Sequence, residues 1–176
     1  MKKIKFLYPL LILLILFSGC KEEKINDECV NSDILNKLDF LVGEWNVYNS
    51  ENQLEGESCV TRVLGDCVFE ENWESVTGYK AKSMIYLDSR FNRLKLLWLT
   101  DNPFRPGGVK EKEHVETLED GSFVFVGKVF IDQNKSYFDR TIITPVSDHE
   151  VKQKIDVSID NGNTWKLIFE GRYSRK

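Results

Sequence analysis

From Trp45 onward the chain alternates with a period of two, and no segment of helix length interrupts the pattern. Val151, Gln153, Ile155, Val157 and Ile159 fall on one face of a strand, with Lys152, Lys154, Asp156 and Ser158 on the other. One face then meets a core and the other meets water. The last strand continues the pattern, with Trp165, Leu167, Phe169 and Tyr173 inside and Lys166, Glu170 and Arg172 outside. Nine or ten such runs follow one another, at about 45–50, 57–63, 67–76, 79–87, 91–99, 111–118, 122–131, 136–144, 149–159 and 164–173. Parallel neighbours need connections of about a dozen residues, so these strands must form an antiparallel meander. An open sheet of this size exposes two edges, which closure removes. The expected fold is all-β, an antiparallel up-and-down barrel of eight to ten strands.

One helix is expected ahead of the sheet, from Asn31 to Leu41. Asn31 or Ser32 serves as its N-cap, Ile34, Leu35, Leu38 and Leu41 share one side, and Gly43 stops it. Trp45 is the expected plug residue at one end of the barrel.

The N-terminus supplies an address. Lys2, Lys3 and Lys5 precede an apolar run from Phe6 to Phe17, too short to cross about 30 Å of hydrocarbon as a helix. The run ends in Phe17-Ser18-Gly19-Cys20, which resembles the lipobox of bacterial lipoproteins. That resemblance implies a signal peptide over 1–19, a lipid on Cys20, and a protein anchored in the bacterial cell envelope, at the outer membrane or the periplasmic face. Residues 20–30 read as a charged tether and 31–176 as the barrel domain. Loss of the first 19 residues removes three lysines and no acid, leaving 21 basic against 28 acidic residues. Such a charge balance argues against nucleic acid as a partner. Three further cysteines sit in a compartment that permits disulfides, and Cys29 is expected to reach Cys59 or Cys67.

Four segments resemble an uncharacterised bacterial group of lipocalin-like barrels known as DUF1579. They are Leu38 to Trp45 with its Gly-x-Trp, Gly65 to Trp73, Ser83 to Asp88, and Ser158 to Trp165 closing on Gly171-Arg172-Tyr173-Ser174-Arg175. The resemblance implies a calycin-type barrel with a short helix at one end and no established activity. Related nitrobindin-like barrels bind haem through a histidine near the C-terminus. This chain has only His114 and His149, neither in its last strand, so no cofactor is expected.

No CxxC, HxxxH, nucleophile elbow or phosphate-binding glycine loop is present. Ser158-x-Asp160-x-Gly162-x-Thr164-Trp165 reads as a hairpin whose polar side chains satisfy turn amides. The informative residues are charges on inner faces. Cys67, Phe69, Glu71, Trp73 and Ser75 share a face that the aromatics turn inward, which carries Glu71 inside. By the same rule Phe138, Arg140 and Ile142 carry Arg140 inside, where a charge is costly unless paired. The candidate ligand-binding residues are Glu71, Trp73, Ser83, Trp98, Arg140 and Gln153.

Three functions fit this reading. The first is a barrel that binds a small hydrophobic or amphipathic molecule. The second is an enzyme of isomerase or decarboxylase type, with Glu71 as its acid and Arg140 as electrostatic partner. The third is a protein-interaction module with a filled barrel. An interior cavity of roughly 300 Å³ or more separates the first two from the third.

Overall fold

The structure is a computed structural model that describes Cys29 and residues 32–101 and 109–176. The expected signal peptide, Cys20, the expected tether apart from Cys29, the N-cap candidate Asn31 and the loop from Asn102 to Gly108 lie outside the described residues.

Ten strands form the barrel: β1 Gly43–Tyr48, β2 Leu54–Val63, β3 Val68–Ser75, β4 Lys80–Asp88, β5 Arg93–Thr100, β6 Val109–Thr117, β7 Phe123–Phe130, β8 Ser136–Ser147, β9 Glu150–Ser158 and β10 Lys166–Arg175. Each pairs antiparallel with its neighbour in sequence, and β1 closes on β10 through Trp45 opposite Arg175 and Val47 opposite Tyr173. The hairpin turns adopt left-handed backbone where the chain reverses, at Leu64, Gly65 and Asp66 between β2 and β3 and at Asn161 and Gly162 between β9 and β10.

Registers fix which side chains face in, because residues paired across two strands share a face. Trp45, Ser58 and Trp73 form one inward row, and Glu71, Ser83, Trp98 and Lys110 form another. Phe69, Ile85, Leu94, Leu96, Phe123, Phe125, Ile143 and Val151 fill the interior below them.

The end carrying Gly43 is closed by the N-terminal segment. It is shorter and more broken than a single helix over 31–41: one α-helical turn, α1 Asp33–Asn36, leads to a 3₁₀ turn, Asp39–Leu41. Ser32 is the N-cap without a side-chain hydrogen bond. The break serves tertiary partners. Arg62 on β2 bonds Asn36 Oδ1 and Asp39 Oδ1, each at 2.9 Å, and the Trp45 indole donates to the Leu41 carbonyl at 2.9 Å. Leu35 and Leu38 are fully buried, each contributing about 1.5–3 kcal/mol. A disulfide from Cys29 to Cys67 ties this plug to the β2–β3 turn. Cys59 stays free, on the outer face of β2.

Two inner-face expectations are reversed. On β8 the inward residues are Asp139, Thr141 and Ile143, which places Phe138, Arg140 and Ile142 outside. On β10 a bulge between Leu167 and Phe169 shifts the register by one, so Phe169 and Tyr173 face in while Leu167 faces out, half exposed. Ile159 lies past the end of β9 and is 90% exposed.

Candidate functional site

The barrel interior holds two polar clusters on different walls. The first surrounds Glu71. Ser58 Oγ donates to Glu71 Oε1 at 2.7 Å, and the Tyr173 phenol donates to Gln153 Oε1 at 2.8 Å. Burial, and then the charge of neighbouring Glu71, push that phenol well above its ordinary value. Glu71, Ser83, Gln153 and Tyr173 line an interior cavity of about 40 Å³, whose other walls include Phe69, Leu96 and Ile143. That space accommodates two or three waters, not an organic ligand of ordinary size.

The second cluster was not legible in the alternation. Lys110 and Lys112 on β6 face inward and converge on Asp139 of β8, which is fully buried. Lys110 Nζ donates to Asp139 Oδ2 at 2.6 Å, and Lys112 Nζ donates to Asp139 Oδ1 and Thr141 Oγ1. Burial lowers the Lys112 ammonium below its ordinary value, opposed by the Asp139 charge. β7 lies between the two strands, and its inward residue at this level is Gly127. A Cβ there would stand 3.0 Å from Lys112 Cγ and 2.0 Å from the Glu111 carbonyl oxygen. A glycine in the middle of a strand of bulky residues is the signal that could have found the cluster.

Lys110 also connects this cluster to aromatic rings. Its Nζ lies 5.2 Å from the Trp98 ring centroid and 6.0 Å from that of Tyr137. Trp73, Trp98 and Tyr137 are inward but only half buried, near the end of the barrel that the plug does not close.

Of the six expected ligand-binding residues, the structure brings Glu71, Ser83 and Gln153 together at the small cavity. Trp73 and Trp98 share the interior nearer the end opposite the plug. Arg140 is apart from all of them. It is on the outer face, paired with Asp156 at 2.7 Å and stacked 4.2 Å over Trp165. An inward Glu71–Arg140 pair is therefore corrected: the two lie on opposite sides of the barrel wall.

The Ser158–Trp165 hairpin forms as a self-satisfied turn. Asp160 accepts from the Thr164 amide at 2.9 Å, the Thr164 hydroxyl at 2.6 Å and Ser158 Oγ at 2.7 Å, and these bonds hold its carboxyl down to about 2. His114 is inward, 3.0 Å from the Thr117 hydroxyl and between Phe123 and Phe125, and burial lowers its imidazole. Among the described residues no group of three or more His, Cys, Asp or Glu could hold a metal ion. Nor is any described helix long and apolar enough to cross a membrane. A shallow depression of about 590 Å³ lies on the outside of β1–β5, with Cys59, Asn72, Lys82 and Leu99 on its floor.

No protein-family model and no curated protein matches this chain.

Proposed function

We propose that this chain is an envelope lipoprotein, anchored through Cys20, whose lipocalin-like barrel binds a small hydrophobic or amphipathic molecule at its open end. The DUF1579-like segments agree with such a role but add no activity to it. The observation that carries the reading is the set of half-buried inward rings, Trp73, Trp98 and Tyr137, at the end opposite the plug. Inward aromatic surface that water still reaches is what an apolar guest can cover. The lower interior, with only about 40 Å³ free, is scaffold for that end.

The test uses the full chain in phosphatidylcholine nanodiscs, with empty discs as the blank. Titration with 1-dodecanol should saturate and change tryptophan emission, and Trp98→Leu should weaken binding about tenfold. Emission that follows the blank overturns the binding reading. For the anchor, mass spectrometry of the mature N-terminus should show an acylated Cys20, and Cys20→Ala should block processing; normal processing of that variant overturns it.

A second reading, a protein-interaction module, draws on the filled lower barrel and the outer depression beside Cys59. It predicts a partner whose binding is lost on Asn72→Arg and is indifferent to Trp98→Leu.

A further inference from the structure

We infer that the guest is an amphipathic anion, a carboxylate on an apolar body, bound with its head group inside against Lys110 and its apolar part at the barrel mouth. The inference rests on the binding reading above and specifies its ligand class.

Charge is the first observation. Inside the barrel Lys110 and Lys112 share one carboxylate, Asp139, whose two oxygens are both occupied by them. Both lysines draw on this one carboxylate, and Lys110, 15% exposed against 3% for Lys112, is the one that an incoming anion can reach. The other carboxylate facing the interior is Glu71. It accepts from Ser58, joins no ion pair among the described residues, and stands three positions along its row from Lys110, with Ser83 and Trp98 between. Glu111 and Glu113 of β6 face outward and pair with Lys95.

Geometry is the second. Lys110 uses one N–H on Asp139, and its other neighbours are the faces of Trp98 and Tyr137. An ammonium that is partly accessible, flanked by rings and carrying spare donors, suits a carboxylate whose attached carbon chain lies on those rings.

The third is the mouth. Val76, Phe130, Ile131 and Ile159 occupy three different turns or strand ends at the open end, and each is at least half exposed, Ile159 at 90%. An apolar collar outside and cationic groups inside define one orientation for an amphipath, head in and tail out.

The test compares dodecanoate, 1-dodecanol and dodecyltrimethylammonium on the full chain in phosphatidylcholine nanodiscs at pH 8, read by tryptophan emission. Dodecanoate should bind at least tenfold more tightly than dodecanol, and the cation least tightly. Lys110→Met should remove the preference for dodecanoate, lowering its affinity at least tenfold more than that of dodecanol. Asp139→Asn, which keeps the shape and removes the negative charge that the two lysines share, should tighten dodecanoate; if it unfolds the chain, Lys110→Met decides alone. Equal affinity for dodecanoate and dodecanol overturns the anion inference and leaves the binding reading standing. Binding of none of the three overturns both. 4-Butylbenzoate tells the two kinds of body apart: tighter binding than dodecanoate assigns an aromatic acid, weaker binding an aliphatic one.

Discussion

Lys112 reaches Asp139 across Gly127, the residue of the intervening strand that has no side chain to block the path. The glycine, the lysine and the aspartate come from three consecutive strands and are useful only together. A buried carboxylate here is tolerable because two ammonium groups meet it, and they meet it because the strand between them is open at one position.

Gly127→Ala is therefore expected to be costly. The new methyl would lie 2.0 Å from a backbone oxygen that cannot swing away. Overpacking of this kind costs about 1–3 kcal/mol, and the backbone contact puts this site at the upper end. Gly78→Ala makes the control: it has φ of +80° but no atom within 4 Å of the added carbon, so only the conformational penalty of about 1 kcal/mol applies. Urea unfolding of both variants should rank Gly127→Ala well below Gly78→Ala; the reverse order would mean β7 shifts to make room.

The pH dependence follows from Lys112. Burial lowers its ammonium below the ordinary 10.5, so between the lowered value and 10.5 the unfolded chain binds more protons than the folded one. Stability should consequently rise with pH across that alkaline window, and the rise should vanish in Lys112→Met. Chemical denaturation midpoints measured from pH 7 to 10 check this; a fall with pH that Lys112→Met abolishes would show that Asp139 dominates over burial.

Much of the architecture was legible because burial on one face imposes a strict alternation. Phe69 and Trp73 carried Glu71 inward correctly, and Val151, Gln153, Ile155 and Val157 were assigned to the right face. The ten strand positions follow from turn residues between such runs. Where the alternation failed, both faces offered similar chemistry. β8 has Ile142 and Ile143 on opposite faces, and Phe138 and Tyr137 likewise, so the pattern there does not choose. What chooses is Asp139, which belongs inside only because lysines two strands away can neutralise it. β6 alternates Lys110 and Lys112 with Glu111 and Glu113, so its pattern does not say which pair faces in. Trp165 and Leu167 were misplaced by a bulge at Ile168, which shifts every residue on its N-terminal side to the other face.

The disulfide should act through the plug. Its partners are 38 residues apart, which in the chain-entropy picture is worth about 4 kcal/mol against the reduced chain. Cys67→Ser should lower the thermal midpoint and release the plug, seen as a red shift of Trp45 emission as its ring leaves the core. Cys59→Ser, with no covalent partner to lose, should leave both unchanged. If Cys67→Ser keeps the native emission, packing of Leu35 and Leu38 suffices to hold the plug.

Glu71 and Arg140 should prove independent. They sit on opposite sides of the sheet, and each has its own partners, Ser58 for the first and Asp156 with Trp165 for the second. Arg140→Met removes a pair that is partly screened by water, together with a ring contact, and should cost about 1 kcal/mol without altering ligand affinity. Glu71→Gln keeps an oxygen for Ser58 and removes a charge, so its clearest effect should be on Tyr173. The phenol should titrate at lower pH than in the native chain, because one cause of its elevation has gone while burial persists. Ultraviolet difference spectra between pH 9 and 13 report that shift. In a double-mutant cycle the two substitutions should add to within about 0.5 kcal/mol, as independent sites do. A coupling above that would require the side chains to communicate through the wall between Gln153 and Asp156, and would return Arg140 to the list of ligand-binding candidates.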